Sequence, residues 1–276
     1  MSEVTIRTIA DRAAIVALVR TMGTVVSVEV RGADPSARLD AAIDSVAARL
    51  DAVDAAFSTW RPTSWVSRLM RAEVSLDECP TDARHVIALA EQARALTNGY
   101  FSPRWRGPAG PDPTGLVKGW AAQQASDLLL AHGLPDHVVN AAGDLVVSGY
   151  PEPGTTAPWR VGISDPQVPG DLVGVVELPS GGRKAMATSG MAELGSHVVD
   201  PHDGRAPSDV AAATTVVRLG PACTEAGALT DATATALVAA GAHACSLMTA
   251  LRSRDLEALL VHHDGRISDP DSLLLA

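Results

Sequence analysis

Between Thr24 and Phe57 the apolar period of this chain changes from two residues to between three and four, and that change limits its fold more than any other feature. TVVSVEVR (24–31) alternates apolar and polar, as a half-buried strand does. Leu39, Ile43, Val46, Leu50, Val53 and Phe57 then recur at spacings of four and three, which places all six on one face of a helix. Asp34 is placed to cap that helix and Pro35 suits its first turn. The six apolar positions belong to a core and not to a ligand.

Further elements follow the same patterns. Helices are predicted from Thr81 to Thr97 and from about Gly119 to His132, the second ended by Gly133 and Pro135. Strands are predicted at 137–149, 159–164, 172–179, 185–190, 197–201 and 214–220, a helix over 230–241, and a strand or hairpin over 256–268. PEPGTTAP (151–158) reads as a surface loop. Strands outnumber helices and do not alternate with them regularly, so the expected class is α+β, with mixed or antiparallel sheets and packed helices. No repeat, low-complexity tract or linker interrupts residues 1–276, which read as a single domain. With 276 residues, 46% of them hydrophobic, the chain can bury a large core.

Charge narrows the partners. A formal net charge of −10 repels nucleic acid and anionic membranes, so neither is expected to bind. No apolar run reaches the roughly 20 residues of a membrane helix, and MSEVTIRTIADRAA lacks a basic then apolar leader pattern and a lipidation Cys, so no membrane insertion and a cytoplasmic location are expected. Cys79, Cys223 and Cys245 lack CxxC spacing and are expected to be small buried apolar residues. Lys118 and Lys184 are the two lysines in a chain whose positive charge is otherwise Arg.

Two features carry chemistry. In TDATATALVAAG (230–241), Asp231 and Thr235 lie four apart and share a helix face. Either Asp231 caps a helix and Thr235 bonds back to the preceding turn, or two hard oxygen donors project toward a cation. Aromatic rings also cluster in loops beside Arg: Trp60 and Trp65 in FSTWRPTSWVSRL, and Tyr100, Phe101 and Trp105 in GYFSPRWRG. Such rings either close the rim of a core or stack on a planar ligand.

The chain has no GxxxxGK[ST], GxGxxG, HExxH or GxSxG. Short polar-glycine motifs stand in order instead: MGT (22–24), FSTWRPTSWVSRL (57–69), GYFSP (99–103), DPTGLVKGWA (112–121), VVNAAGDL (138–145), ATSG (187–190), HVVDPHDGRAP (197–207) and TDATATAL (230–237). This ordered set resembles the ApbE-type flavin transferases over nearly the whole chain. The resemblance implies a Mg²⁺-dependent FAD:protein FMN transferase, which attaches FMN from FAD through a phosphoester to a Thr or Ser of an acceptor protein and releases AMP. It implies that Asp231, Thr235 and the Gly115 carbonyl hold Mg²⁺, with Asp231 also catalytic. It places Met22, Trp60, Tyr100, Phe101, Ser102, Asp112, Lys118 and His197 around FAD, with His197 as base toward the acceptor hydroxyl. The chain departs from the pattern at Trp60, where many relatives have Tyr, at Ser102 in place of Asp, at Ala142 in AGD and at Gln123. The same residues would support hydrolysis of FAD to FMN and AMP with water as nucleophile, or a flavin-binding protein with little turnover. The Asp231/Thr235 pair speaks against passive binding, which has less need of a metal at the pyrophosphate.

Overall fold

The computed structural model describes residues 3–9, 13–107, 110–190, 198–217, 225–269 and 273–274. Its first layer-forming segment is a meander of β1 (Val4–Ile9), β2 (Ala14–Thr21) and β3 (Thr24–Arg31), followed by helices α1 (Ala37–Phe57), α2 (Trp65–Met70), α3 (Thr81–Leu96) and α4 (Thr114–Ala131). The chain returns to strands in β4 (His137–Ala141), β5 (Asp144–Ser148), β6 (Trp159–Ser164), β7 (Leu172–Leu178), β8 (Lys184–Gly190) and β9 (Val210–Val217). Helices α5 (Ala226–Ala240) and α6 (Ala244–Arg252) precede a closing hairpin of β10 (Leu256–His262) and β11 (Ile267–Ser268).

Nine strands form one antiparallel sheet in the order β1-β2-β3-β4-β5-β8-β9-β10-β11, and β6 pairs with β7 in a separate ribbon. Successive side chains of a strand point to opposite faces, and here both faces of the central strands are covered. Val146 of β5, Ala213 and Val217 of β9, and Ala258 and Leu260 of β10 join the core shared with the helices. Leu145 and Val147, Ala212 and Val216, and Leu259 and Val261 join a second core with Trp159, Ile163, Val176 and Leu178 of the ribbon. The class is therefore α+β, as the sequence predicts. Covering both faces turns β5 and β9 into continuous buried runs, whereas β3 keeps its alternation.

All six residues of the α1 stripe are buried. The cap is Ser36 and not Asp34, since the Ser36 hydroxyl accepts from Leu39 N–H at 3.3 Å. The single strand predicted over 137–149 is a hairpin, because Ala142 (φ 55°) and Gly143 (φ 92°) form a two-residue left-handed turn, and Asn140 Oδ1 accepts from Gly143 N–H at 2.9 Å. Helix α4 begins at Thr114, five residues before the predicted start, because Asp112 Oδ1 accepts from both the Thr114 amide (3.0 Å) and its hydroxyl (2.6 Å). Of the strand predicted at 197–201, the described part, 198–201, is loop. β1, β2, α2 and α6 carry no sequence prediction. Cys79 is buried but Cys245 is exposed, against expectation, and Cys223 lies outside the described residues.

The stretch Ala226–Arg252 is long and apolar enough by length and composition to cross a membrane, a length not expected from the sequence because a 3₁₀ turn at Gly241–His243 joins two shorter helices into it. In this molecule α5 is a core element. It packs against α4, β8 and β9, and every residue of it except Leu229 and Thr235 is buried.

Candidate active site

The site is built on the crossing of α4 and α5. A Cβ on Gly119 would stand 2.1 Å from the Gly227 carbonyl oxygen, and one on Gly227 would stand 2.2 Å from that of Gly119. Two glycines thus let the helix backbones touch. This contact brings Asp231, one turn inside α5, against the start of α4, where its Oδ2 accepts from Gly119 N–H at 3.0 Å. Asp231 is 2% exposed, so it is neither a helix cap nor part of a solvated stripe. Burial first, and the charge of Asp144 second, hold its carboxyl well above the usual carboxylate range, with Lys118 and the Gly119 amide acting in the opposite direction.

One turn further along α5, the Thr235 hydroxyl lies 3.0 Å from Ser189 Oγ at the end of β8 and 3.4 Å from the Gly115 carbonyl oxygen. Gly115 departs from helical geometry (φ −76°, ψ 15°). A Cβ there would meet Phe101 at 3.2 Å and the Thr235 hydroxyl at 3.5 Å. Asp231, Thr235 and the Gly115 carbonyl therefore offer hard oxygen donors from adjoining helix segments, a donor set that suits Mg²⁺. Lys118 Nζ bonds Asp144 Oδ2 at 2.6 Å, with Asp144 at the start of β5 placed by the Ala142–Gly143 turn.

Beside this junction lies a cleft of about 100 Å³, lined by Tyr100, Phe101, Ser102, Trp105, Asp112, Thr114, Gly115, Val198, Val199, Pro201 and Thr235. Six of the residues expected from the sequence line it: Tyr100, Phe101, Ser102, Asp112, Gly115 and Thr235. A larger open cleft of about 340 Å³ shares Ser102 and Pro201 with it and adds Arg94, Asn98, Gly99 and His202.

Asp231 and Lys118 stand at the α4–α5 junction without lining the cleft, and two further expected residues lie apart from it. Met22 occupies the first position of the Met22–Gly23 turn joining β2 to β3 (φ 51°) and packs partly buried on the main core. Trp60 is 93% exposed, and neither residue lines the cleft. His197 lies outside the described residues. Sequence reasoning assigned no site role to Ser189, Asp144 or the loop residues Val198 and Val199, and it left Trp105 open between closing a core rim and stacking on a ligand. The first four lie inside motifs quoted for the family resemblance, ATSG, VVNAAGDL and HVVDPHDGRAP, so the signal was present without a role attached.

One arrangement elsewhere has nucleophile-like geometry. His262 Nε2 stands 2.8 Å from Ser268 Oγ and Nδ1 stands 3.5 Å from Asp209. Arg266 lies on both members of this pair, donating to Nδ1 at 3.1 Å and to Ser268 Oγ at 3.0 Å, so the serine oxygen is already held by a guanidinium donor.

The ApbE family model matches residues 22–108 and 110–260. A FAD:protein FMN transferase of Vibrio cholerae is 31% identical over 114 residues, 38% of this chain and 33% of that protein. One of Rhodobacter capsulatus is 38% identical over 133 residues, 45% of this chain and 23% of that protein. The matched segments thus span a third or less of these relatives' length. Among solved structures, the ApbE protein of Thermotoga maritima superposes with a TM-score of 0.75 at 18% identity, covering 97% of this chain and 96% of that one. The flavin transferase ApbE of Vibrio cholerae gives 0.74 at 20% identity over 97% and 96%. At these identities the superpositions establish the fold, and the family model's match over most of the chain establishes the lineage: the chain belongs to the ApbE family.

Proposed function

We propose that this chain is a Mg²⁺-dependent FAD:protein FMN transferase, moving FMN from FAD to a Thr or Ser hydroxyl of an acceptor protein. The observation that carries the reading is the buried Asp231. A carboxyl 2% exposed in the middle of an apolar helix is costly unless something compensates it. Thr235, one turn along the same helix, and Gly115, whose carbonyl Thr235 meets at 3.4 Å, line the cleft, so a cation held between them and Asp231 would both satisfy the carboxyl and reach a ligand there.

Asp231, Thr235 and the Gly115 carbonyl would hold the ion. When bound, Mg²⁺ supplies positive charge to the phosphoryl oxygens of FAD. The remaining work falls to the chain. Lys118, whose Nζ bonds Asp144 Oδ2 at 2.6 Å, brings a positive charge to this junction that would favour a phosphate. Tyr100, Phe101 and Ser102 wall the cleft and exclude water. The acceptor oxygen forms a bond to the FMN phosphorus, the bond from that phosphorus to the bridging oxygen breaks, AMP leaves with the bridging oxygen, and His197 takes the acceptor's proton. The adjoining larger cleft offers the room that a protein acceptor needs beside the reacting phosphate.

Incubating the chain with FAD, Mg²⁺ and an acceptor carrying a Thr-containing segment, with mass spectrometry of protein and nucleotides, tests this. FMN covalently on the acceptor with an equal yield of AMP is the expected result. Free FMN and AMP with unmodified acceptor replaces transfer by hydrolysis, and FAD left intact removes the proposed activity.

A further inference from the structure

We propose that Trp105 is the stacking platform of the cleft, the side chain that receives a planar heteroaromatic ring of the bound dinucleotide. The proposal rests on the reading of this cleft as the FAD site and names the residue that grips the ring. Three aromatic side chains line the cleft. Phe101 is 4% exposed and turned into the core against Gly115. Tyr100 is engaged edge-on with His202, ring centroids 4.7 Å apart at 68°, and lies 6.3 Å from His243. Trp105 is half-buried and is committed to neither core nor ring partner among the described residues.

What Trp105 has instead is a fixed orientation. The Arg106 guanidinium carbon lies 4.1 Å from the indole centroid, and Arg106 Nε donates to Asp112 Oδ2 at 2.7 Å. Asp112 is 1% exposed, and its other oxygen is bound to the amide and hydroxyl of Thr114. A buried carboxylate at the start of α4 thus holds the guanidinium, and the guanidinium holds the ring. A side chain ordered before its ligand arrives loses less entropy on binding. Trp60 has no such arrangement: it is 93% exposed, outside the cleft lining, and would have to be ordered by the ligand.

The ring bound could be the isoalloxazine or the adenine of FAD, since both are planar and heteroaromatic, and the ligands FMN and AMP separate them. Calorimetric titrations of the full chain and of Trp105→Ala, Trp105→Phe and Trp60→Ala with FAD, FMN and AMP make the test, each variant first checked by circular dichroism. Trp105→Ala should weaken FAD about ten- to a hundredfold, the usual worth of one stacked ring. Trp105→Phe should recover most of that loss, and Trp60→Ala should lose less affinity than Trp105→Ala does. A loss repeated with FMN assigns the isoalloxazine to Trp105, and one repeated with AMP assigns the adenine. Should Trp105→Ala fail to fold, Trp105→Leu keeps the bulk without the π face and takes its place. Unchanged FAD affinity in a folded variant lacking the indole, or a loss confined to Trp60→Ala, overturns the proposal. A parent chain that binds no FAD overturns the reading of the cleft itself, and the role of Trp105 with it.

Discussion

At the scale of single residues, Asp231 decides between two chemistries that the sequence leaves open. A capping carboxylate sits at a helix start in contact with water, whereas this one is buried one turn in and accepts from an amide of another helix. Asp231→Asn keeps an oxygen for the Gly119 N–H and removes the charge, so the fold should survive it with an unchanged or raised melting temperature. Mg²⁺-dependent release of AMP should fall by about two orders of magnitude or more, since a Lewis acid contributes several kcal/mol to such a step. A fully active Asp231→Asn chain with the parent's Mg²⁺ dependence would remove the metal site. The Asp231–Thr235 spacing was legible in the sequence because it is local. Their neighbours Gly119 and Ser189 were not, because each comes from a segment far away in the chain.

Among elements, the crossing of α4 and α5 depends on what two residues lack. Glycine inside a helix costs about 1 kcal/mol relative to alanine, so intrinsic propensity alone would make Gly119→Ala stabilising. The contact outweighs it: the added methyl would stand 2.1 Å from the Gly227 carbonyl oxygen and 2.8 Å from Asp231 Cβ. Separating the helices should therefore lower stability by about 1–3 kcal/mol, the usual cost of overpacking a dense interior. The same shift should weaken Mg²⁺ dependence, because it moves Asp231 and Thr235 of α5 away from the Gly115 carbonyl of α4. Thermal unfolding checks the first effect and an AMP-release titration the second; a variant that melts higher would show that the close approach has no energetic role. Periodicity predicts α1 and α3 nearly to the residue, yet it misplaces the start of α4. The Asp112 side chain accepts from the Thr114 amide at that boundary, a local hydrogen bond that a count of apolar spacings does not register.

For the whole molecule, pH acts through a buried imidazole. His137 in β4 is fully buried, with Nε2 2.8 Å from Ser126 Oγ and Nδ1 2.7 Å from the Leu134 carbonyl oxygen. Burial is the main cause that lowers its pKa from 6.5 to about 4, and nearby Arg183 pushes the same way. The unfolded chain therefore binds this proton at a higher pH than the folded chain does. Stability attributable to His137 is complete above about pH 6.5 and is lost as pH falls toward 4, up to roughly 3 kcal/mol at about 1.4 kcal/mol per pKa unit. Urea unfolding midpoints should decline over that window, and His137→Gln should flatten the decline; equal slopes in both chains would assign the acid sensitivity to other groups. The sequence by itself determined the α+β class, the α1 stripe, the order of the motifs and most of the strands, because each is written in local spacing that a short stretch of chain settles alone. Only the tertiary structure decided that Asp231 is buried, that Gly115, Thr235 and Tyr100–Ser102 share one cleft, that Trp105 is held and Trp60 exposed, and that both sheet faces are covered. Those outcomes depend on which distant backbones can approach, and that is fixed by strand order and by the two glycines at the α4–α5 crossing, through packing that no local pattern encodes.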